Sequence, residues 1–265
     1  MKVLVVDVGG THVKILATGK RVRRALSSGP TMTPEQMVAG VLQLSRDWKY
    51  EVVSIGYPGL ALHGKPILEP HNLGKGWVGF DFELAFQRPV KLMNDAAMQA
   101  LGCYKGGRLL FLGLGTGLGS AFIVDGVVAP MELAHLPYKK ATFEDYVGLR
   151  GLQKHGLKKW RREVNDVVAR LIAALEPDDV AVGGGNAKKL NGPPPGVRLV
   201  DNSCAFRGGL RMWNNVDDGQ PFRRPKAHQS ILMKRKEHAR GNAHRRAHRT
   251  ADGQKAGMES TGSPQ

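Results

Sequence analysis

Two stretches of this chain constrain its fold most, and they are alike. Val3-Leu4-Val5-Val6-Asp7 is an apolar run that breaks into Val8-Gly9-Gly10-Thr11, after which Val13 to Ala17 reads as a second strand. Farther on, strand-like Arg108 to Leu112 breaks into Gly113-Leu114-Gly115-Thr116-Gly117-Leu118-Gly119-Ser120, and Ala121 to Val124 reads as the strand that follows. A glycine hairpin lets backbone N–H groups converge into a nest for phosphate oxygens. The second stretch is not the dinucleotide fingerprint. Counted as G-x-G-x-x-G, it ends on Leu118 from Gly113 and on Ser120 from Gly115, and a strand follows instead of a helix. It lacks the Gly-Lys-Ser/Thr of a P-loop as well. Two loops of one type, each opening a half of the chain, imply two related lobes. In the first, Thr11 adds a hydroxyl, Lys14 a positive charge, and Asp7 a carboxylate able to hold Mg²⁺ through water. Taken alone, this loop also reads as an ordinary Gly-Gly hairpin.

Between the two loops lies the residue with the most chemistry. Val90 to Met93 is a short apolar strand that runs out at Asn94-Asp95, and Ala96 to Tyr104 reads as a helix. Sheets flanked by helices place their chemistry where strands open into helices. Asp95 there can take the proton of an attacking hydroxyl. Asn94 can hold the molecule bearing that hydroxyl by donor and acceptor together. In isolation Asp95 reads as the N-cap of the helix after it. Its company along the chain favours the base.

Thr33-Pro34-Glu35-Gln36 is a capping box, and Met37, Val38, Val41 and Leu42 continue it at helical spacing. Glu51 to Gly56 is a strand leading into Gly56-Tyr57-Pro58-Gly59. Asn72 to Trp77 is a glycine-rich loop, and an Asn with an indole in an open loop suits a sugar. Glu132-Leu-Ala-His135 has no second His at metal spacing, so it reads as hydrogen-bonding groups for a polar ligand. Glu144-Asp145 begins a helix, and Trp160 to Leu175 is strongly amphipathic. Val180 to Val182 runs into Gly183-Gly184-Gly185, a strand end that admits a flat base or ribose closely. Val197 to Val200 is the last strand, and Ala205 to Trp213 a terminal helix.

A chain of 265 residues can build two lobes with ample core. No apolar run approaches the length of a membrane span, and the N-terminus reads as a strand and not as a signal peptide. Two cysteines exclude a disulfide framework or a Cys-rich zinc site, which points to a reducing, cytoplasmic setting. The net charge is +16, and half of it comes from residues 221–265, with 11 Lys/Arg against 3 Asp/Glu. From Asn214 onward apolar periodicity is lost, so 214–265 is expected to be a basic, disordered tail. Such a tail suits a polyanion held through counterion release.

The motifs Asp7-Val-Gly-Gly-Thr11, Gly56-x-Pro-Gly59, Asn94-Asp95, Leu114-Gly-Thr-Gly-Leu-Gly-Ser120, Glu132-Leu-Ala-His135 and Gly183-Gly-Gly185 occur in one order. That order resembles the ROK family of sugar kinases, with the polyphosphate glucokinase branch the nearest, over residues 3 to 212. The resemblance implies an α/β protein of two actin/hexokinase (ribonuclease H-like) lobes with mixed sheets, 1–95 and 96–213, and a ligand cleft between them. It implies Asp95 as general base, and Asn94, Glu132, His135 and Asn72 as sugar contacts. Gly9, Gly10, Thr11, Gly115, Thr116 and Gly117 would hold donor phosphates, with Asp7 and Lys14 beside them. Gly184 and Gly185 would face a nucleotide. The expected reaction moves a phosphoryl group from polyphosphate or ATP to a hexose, glucose to glucose 6-phosphate, with Mg²⁺. The family's Cys-rich zinc loop is missing from Leu136 to Phe143, and Glu144 is a candidate to replace its sugar contacts. The resemblance leaves a homodimer open. Nucleic acid is not an expected partner, although the basic tail leaves it open. The rival reading is a non-catalytic sugar- or polyanion-binding regulator on the same fold.

Overall fold

The computed structural model describes residues 1–213; the expected tail, 214–265, lies outside them. The chain begins with β1 (Val3–Val8), β2 (His12–Ala17) and β3 (Arg24–Ser27), an antiparallel meander. Then come α1 (Pro34–Leu44), β4 (Val52–Tyr57), a minimal hairpin of β5 (Ala61–Leu62) and β6 (Lys65–Pro66), α2 (Phe82–Phe86) and β7 (Val90–Asn94). β4 and β7 extend the sheet in parallel, giving the order β3-β2-β1-β4-β7.

The second half repeats this plan. After α3 (Asp95–Cys103) come β8 (Arg108–Leu114), β9 (Leu118–Val124) and β10 (Val127–Met131), again an antiparallel meander. A small hairpin of β11 (Pro137–Tyr138) and β12 (Ala141–Thr142) follows, then α4 (Phe143–Val147) and α5 (Leu149–Leu175). β13 (Asp179–Gly183) and β14 (Arg198–Leu199) add in parallel, giving β10-β9-β8-β13-β14, and α6 (Ser203–Arg211) ends the described chain.

Strand alternation sorts the core into layers. Leu4, Val6 and Val8 of β1 pack with Met37, Val38 and Val41 of α1, while Val3 and Val5 face Ala205 and Phe206 of α6. In β8, Leu110 and Leu112 pack with Val164, Val167 and Leu171 of α5, while Leu109 and Phe111 face Ala97 and Ala100 of α3. Central strands covered on both faces read as continuous apolar runs, which is how β1 and β8 appear in the sequence. The middle layer, α3 with α6, therefore serves both sheets.

That layer is unusually close. A Cβ on Gly102 of α3 would lie 1.8 Å from the Cys204 carbonyl oxygen, and one on Gly208 of α6 1.8 Å from that of Met98. The two helices touch backbone to backbone, and only glycine fits at those crossings. Ser54 Oγ of β4 donates to the Gly209 carbonyl at 2.6 Å and accepts from Trp213 Nε1 at 2.9 Å. The end of the described chain is thereby fastened to the first sheet.

Several expectations differ in detail. β3, α2 and the β5–β6 hairpin had no pattern strong enough to find: β3 alternates over only four residues, and α2 is barely a turn and a half. The amphipathic Trp160–Leu175 helix is the second segment of a longer one, kinked at Gly156, where φ is 72°. Trp77 is fully buried, beside Tyr57 (5.7 Å between centroids) and Phe82 (6.3 Å). The open-loop reading of its indole is therefore wrong. Glu69 accepts from the N–H groups of Trp77 and Val78 and turns the loop inward, so the ring fills core instead of facing a sugar.

Candidate active site

The site forms where the two sheets' glycine hairpins meet the start of α3. At β7's end the Asn94 side chain accepts from the Ala97 N–H (3.1 Å), so Asn94, not Asp95, caps α3. Its amide nitrogen donates to the Gly59 carbonyl at 3.0 Å, which ties the Gly56–Gly59 turn to the helix start. Asn94 thus uses one donor and one acceptor internally and keeps one of each for a ligand. Relieved of capping, Asp95 is the first residue of the helix, and its Oδ1 accepts from the Ala96 N–H at 2.7 Å.

Asp95 sits among protein atoms with part of its surface still open. Burial raises its carboxyl first, the Asp7 charge adds to that, and Glu132 contributes from the other half of the chain. The Ala96 N–H works in the opposite sense. The result is a pKa of about 7. A carboxylate that gives up its proton near neutrality is a well-matched general base. Asp7 is also raised, by burial, against the opposing pull of Lys14, whose Nζ is 3.8 Å away.

The first hairpin is held from outside. Ser28 Oγ donates to the Gly9 carbonyl at 2.6 Å, and the Ser28 N–H to the Thr11 carbonyl at 3.0 Å. A Cβ on Gly10 would lie 2.9 Å from the Asn72 Cβ. Asn72 therefore lies against the Gly9–Thr11 hairpin, exposed, while Thr11 is exposed at its tip. Ser28 gave no signal in the sequence, since β3 itself had none.

The second hairpin is braced at three points. Asn186 Nδ2 donates to the Gly115 carbonyl at 2.8 Å, and its N–H to that of Leu114 at 2.9 Å. Gly184, at φ 88°, leaves no room for a Cβ, which would meet the Leu114 backbone at 2.4 Å. The Leu149 N–H donates to the Thr116 carbonyl at 3.0 Å. Gly115 itself has nothing within 4 Å of a notional Cβ, and Gly185 likewise opens outward. Glu144 lies over Gly117, where a Cβ would be 2.0 Å from its Oε2, and it pairs with Arg150 at 3.2 Å. Glu144 therefore borders the Gly115–Gly117 loop. Asn186 could have been found as the polar residue closing the Gly183–Gly185 strand end.

Glu132 and His135 are exposed, 3.9 Å apart, on a 3-10 turn of Leu133–His135 that Ser120 anchors: its Oγ donates to the Met131 carbonyl and accepts from the Leu133 N–H. The hairpin after them has no cysteine and contributes Lys139 to an ionic cluster around the buried Glu163. Glu163 of α5 meets Lys139 Nζ at 3.1 Å and His155 Nδ1 at 2.8 Å, and the Lys139 ammonium lies over the rings of Tyr138 and Tyr146. Among the described residues no group of three or more His, Cys, Asp or Glu is arranged for a metal, and no helix is long and apolar enough to cross a membrane.

The geometry has counterparts. Over 209 residues the chain is 28% identical to the polyphosphate glucokinase of Mycobacterium tuberculosis, covering 70% of this chain and 78% of that one. In fold it is similar to the inorganic polyphosphate/ATP-glucomannokinase of Arthrobacter sp. strain KM, with TM-score 0.68 and 23% identity over 80% of this chain and 97% of that one. It is also similar to a ROK family glucokinase from Streptomyces griseus in complex with glucose and AMPPNP, with TM-score 0.65 and 16% identity over 80% and 99% of the two chains. The model of the ROK family matches residues 3–130, a span that takes in Asp7, both glycine hairpins and Asp95. Over that span the chain is similar to the ROK family, and its fold is similar to that of the solved members named above.

Proposed function

We propose that this protein is a hexose kinase that transfers a phosphoryl group from polyphosphate or ATP to a sugar hydroxyl, with glucose 6-phosphate as the product. The observation that carries the reading is Asp95: a carboxylate with a pKa of about 7, at a strand end, close enough to Asp7 to feel its charge. Phosphoryl transfer asks for in-line positioning, charge neutralisation and a base for the nucleophile. Asp95 supplies the base. The exposed Glu132 and His135, the spare donor and acceptor of Asn94, and Asn72 would fix the sugar by its other hydroxyls. The backbone N–H groups of Gly9–Thr11 and Gly115–Gly117 would receive donor phosphates, with the Lys14 ammonium behind the first loop.

The residues also fit Mg²⁺. Asp7 and Asp95 bring two carboxylates into one another's field, with Lys14 the nearest counter-charge at 3.8 Å. Asp7 would hold the ion through its water shell, as Mg²⁺ prefers. When bound it supplies charge neutralisation at the transferring phosphoryl group. The relatives named above support the donor pair and the sugar class.

A matrix of polyphosphate and ATP against glucose, mannose and N-acetylated hexoses, with and without Mg²⁺, tests this. Turnover of glucose with at least one of the two donors is expected. Sugar binding without any turnover would instead establish the rival, a non-catalytic regulator on this fold.

A further inference from the structure

We propose that the first half of α5, with the turn after β13, is the bed along which a long polyphosphate lies while its end occupies the Gly115–Gly117 loop. This rests on the phosphoryl-transfer reading of that loop and extends it to the part of the donor that does not react. Residues 149–162 contain six Lys/Arg and no Asp/Glu. Of these, Arg150, Lys154, Lys158, Lys159 and Arg162 are exposed. The next acid in sequence, Glu163, is buried and already held by Lys139 and His155, so it neutralises nothing outside.

The basic run is joined to the loop at both ends. α5 starts at Leu149, whose N–H is on the Thr116 carbonyl, and Arg150 pairs with the Glu144 that lies over Gly117. At the far end Arg161 Nε donates to the Lys189 carbonyl at 2.8 Å. That draws in exposed Lys188, on the turn that follows Asn186, the residue bracing Gly115. Among the described residues Lys154, Lys158, Lys159, Arg162 and Lys188 have no carboxylate within 4.0 Å. Arg150 and Lys154 share one helical face, as do Lys158 and Arg162 past the kink at Gly156. A row of unneutralised cations leading from a phosphate cradle matches a flexible chain of repeated negative charge. It offers no aromatic platform for bases, which single-stranded nucleic acid would use.

The test uses the full chain and the triple variant Lys154→Glu/Lys158→Glu/Lys159→Glu. The control is Arg46→Glu/Lys49→Glu/Arg88→Glu, equal in charge, where the replaced residues precede β4 and β7 at the end of the first sheet remote from the site. Two quantities are read: the ratio of kcat/KM for long-chain polyphosphate to that for tripolyphosphate, and direct binding of long-chain polyphosphate against salt. The α5 triple is expected to lower the ratio about tenfold or more and to flatten the salt slope by about two, as for the loss of three phosphate contacts. The control should leave the ratio near wild type. Equal losses in both triples, or none in either, would overturn the proposal in favour of diffuse net charge. A wild type that binds long polyphosphate through α5 but turns over only ATP would sink polyphosphate as donor while leaving the binding bed standing. Displacement of polyphosphate by an RNA oligonucleotide of equal charge at lower concentration would assign the surface to nucleic acid and end the proposal.

Discussion

The two sheets share one strand order, yet they treat the row of residues just before their hairpins in opposite ways. In the first sheet that row is Lys14, Asp7 and Gly56, each directly across from the next. In the second it is Gly119, Gly113 and Gly183. One half places charge in that row, and the other strips side chains away. The reason lies in α3. A Cβ on Gly119 would sit 3.1 Å from the Ala96 Cβ, and one on Gly56 would sit 2.3 Å from the Met98 methyl and 3.6 Å from the Asp95 Cα. The helix start that carries Asp95 is seated between glycines of both sheets. A duplicated plan thus became asymmetric: the first half carries the charged row, and the second a flat seat and an open glycine loop.

The sharpest break of that asymmetry is Asp95→Asn, which keeps size and cannot accept a proton. A general base of this kind is worth about 10² to 10⁴ in rate, so kcat should fall by that much with sugar affinity largely kept. Stability gives an independent readout. Burial raises Asp95 to about 7 from its ordinary 3.8. The folded state therefore holds the proton more tightly, and the associated stability is full below pH 4 and lost as pH rises through 7. The Asn variant should thus melt higher than wild type at pH 8, with the difference gone at pH 4. A folded variant with unchanged kcat would remove Asp95 from catalysis.

Next comes the glycine seat. Gly119→Val would press on Ala96 and displace Asp95, and displacements near 1 Å cost about 10²-fold. We expect kcat to drop between about ten- and a hundredfold, with secondary structure by circular dichroism kept. Gly115→Ala, by contrast, meets nothing of the protein and should act on donor KM alone. If both variants behaved alike, the seat and the cradle would not be separate devices.

The charged row is tested through pH. Asp7 is the second cause of the raised Asp95 pKa, after burial. In Asp7→Asn the acid limb of kcat/KM for the sugar should move from near pH 7 to lower pH, whatever activity remains. An unmoved limb would mean that Asp7 and Asp95 do not share a field.

The smallest effect should come from the cluster around Glu163. Glu163→Gln removes a buried charge from Lys139 and His155 while keeping shape, and should cost about 1–3 kcal/mol in urea unfolding. Sugar KM should rise modestly, since the same hairpin follows Glu132 and His135, and donor KM should stay put. Loss of donor KM instead would place the cluster on the phosphate side.

Sequence alone determined the central strands, both glycine hairpins and the Asp95 helix. Continuous apolar runs, glycine turns and the Thr33 capping box are local signals, legible without neighbours. Motif order made the resemblance readable for the same reason. What only the tertiary structure decided concerns contacts between residues far apart in the chain. Trp77 lies in a glycine-rich stretch that looks open, and Glu69 turns it into the core. Ser28 clamps Gly9 from just past a strand too short to announce itself. Asp95 reads locally as a cap, but Asn94 takes that role, and the raised pKa of Asp95 comes from burial together with the charges of Asp7 and Glu132, which converge from both halves. Gly102 and Gly208, 106 positions apart, are required only because two helices cross there backbone to backbone. Local pattern reports the free energy of a segment with itself and with water. A shifted pKa or a forbidden Cβ belongs to the surroundings, and those exist only once the chain has closed on itself.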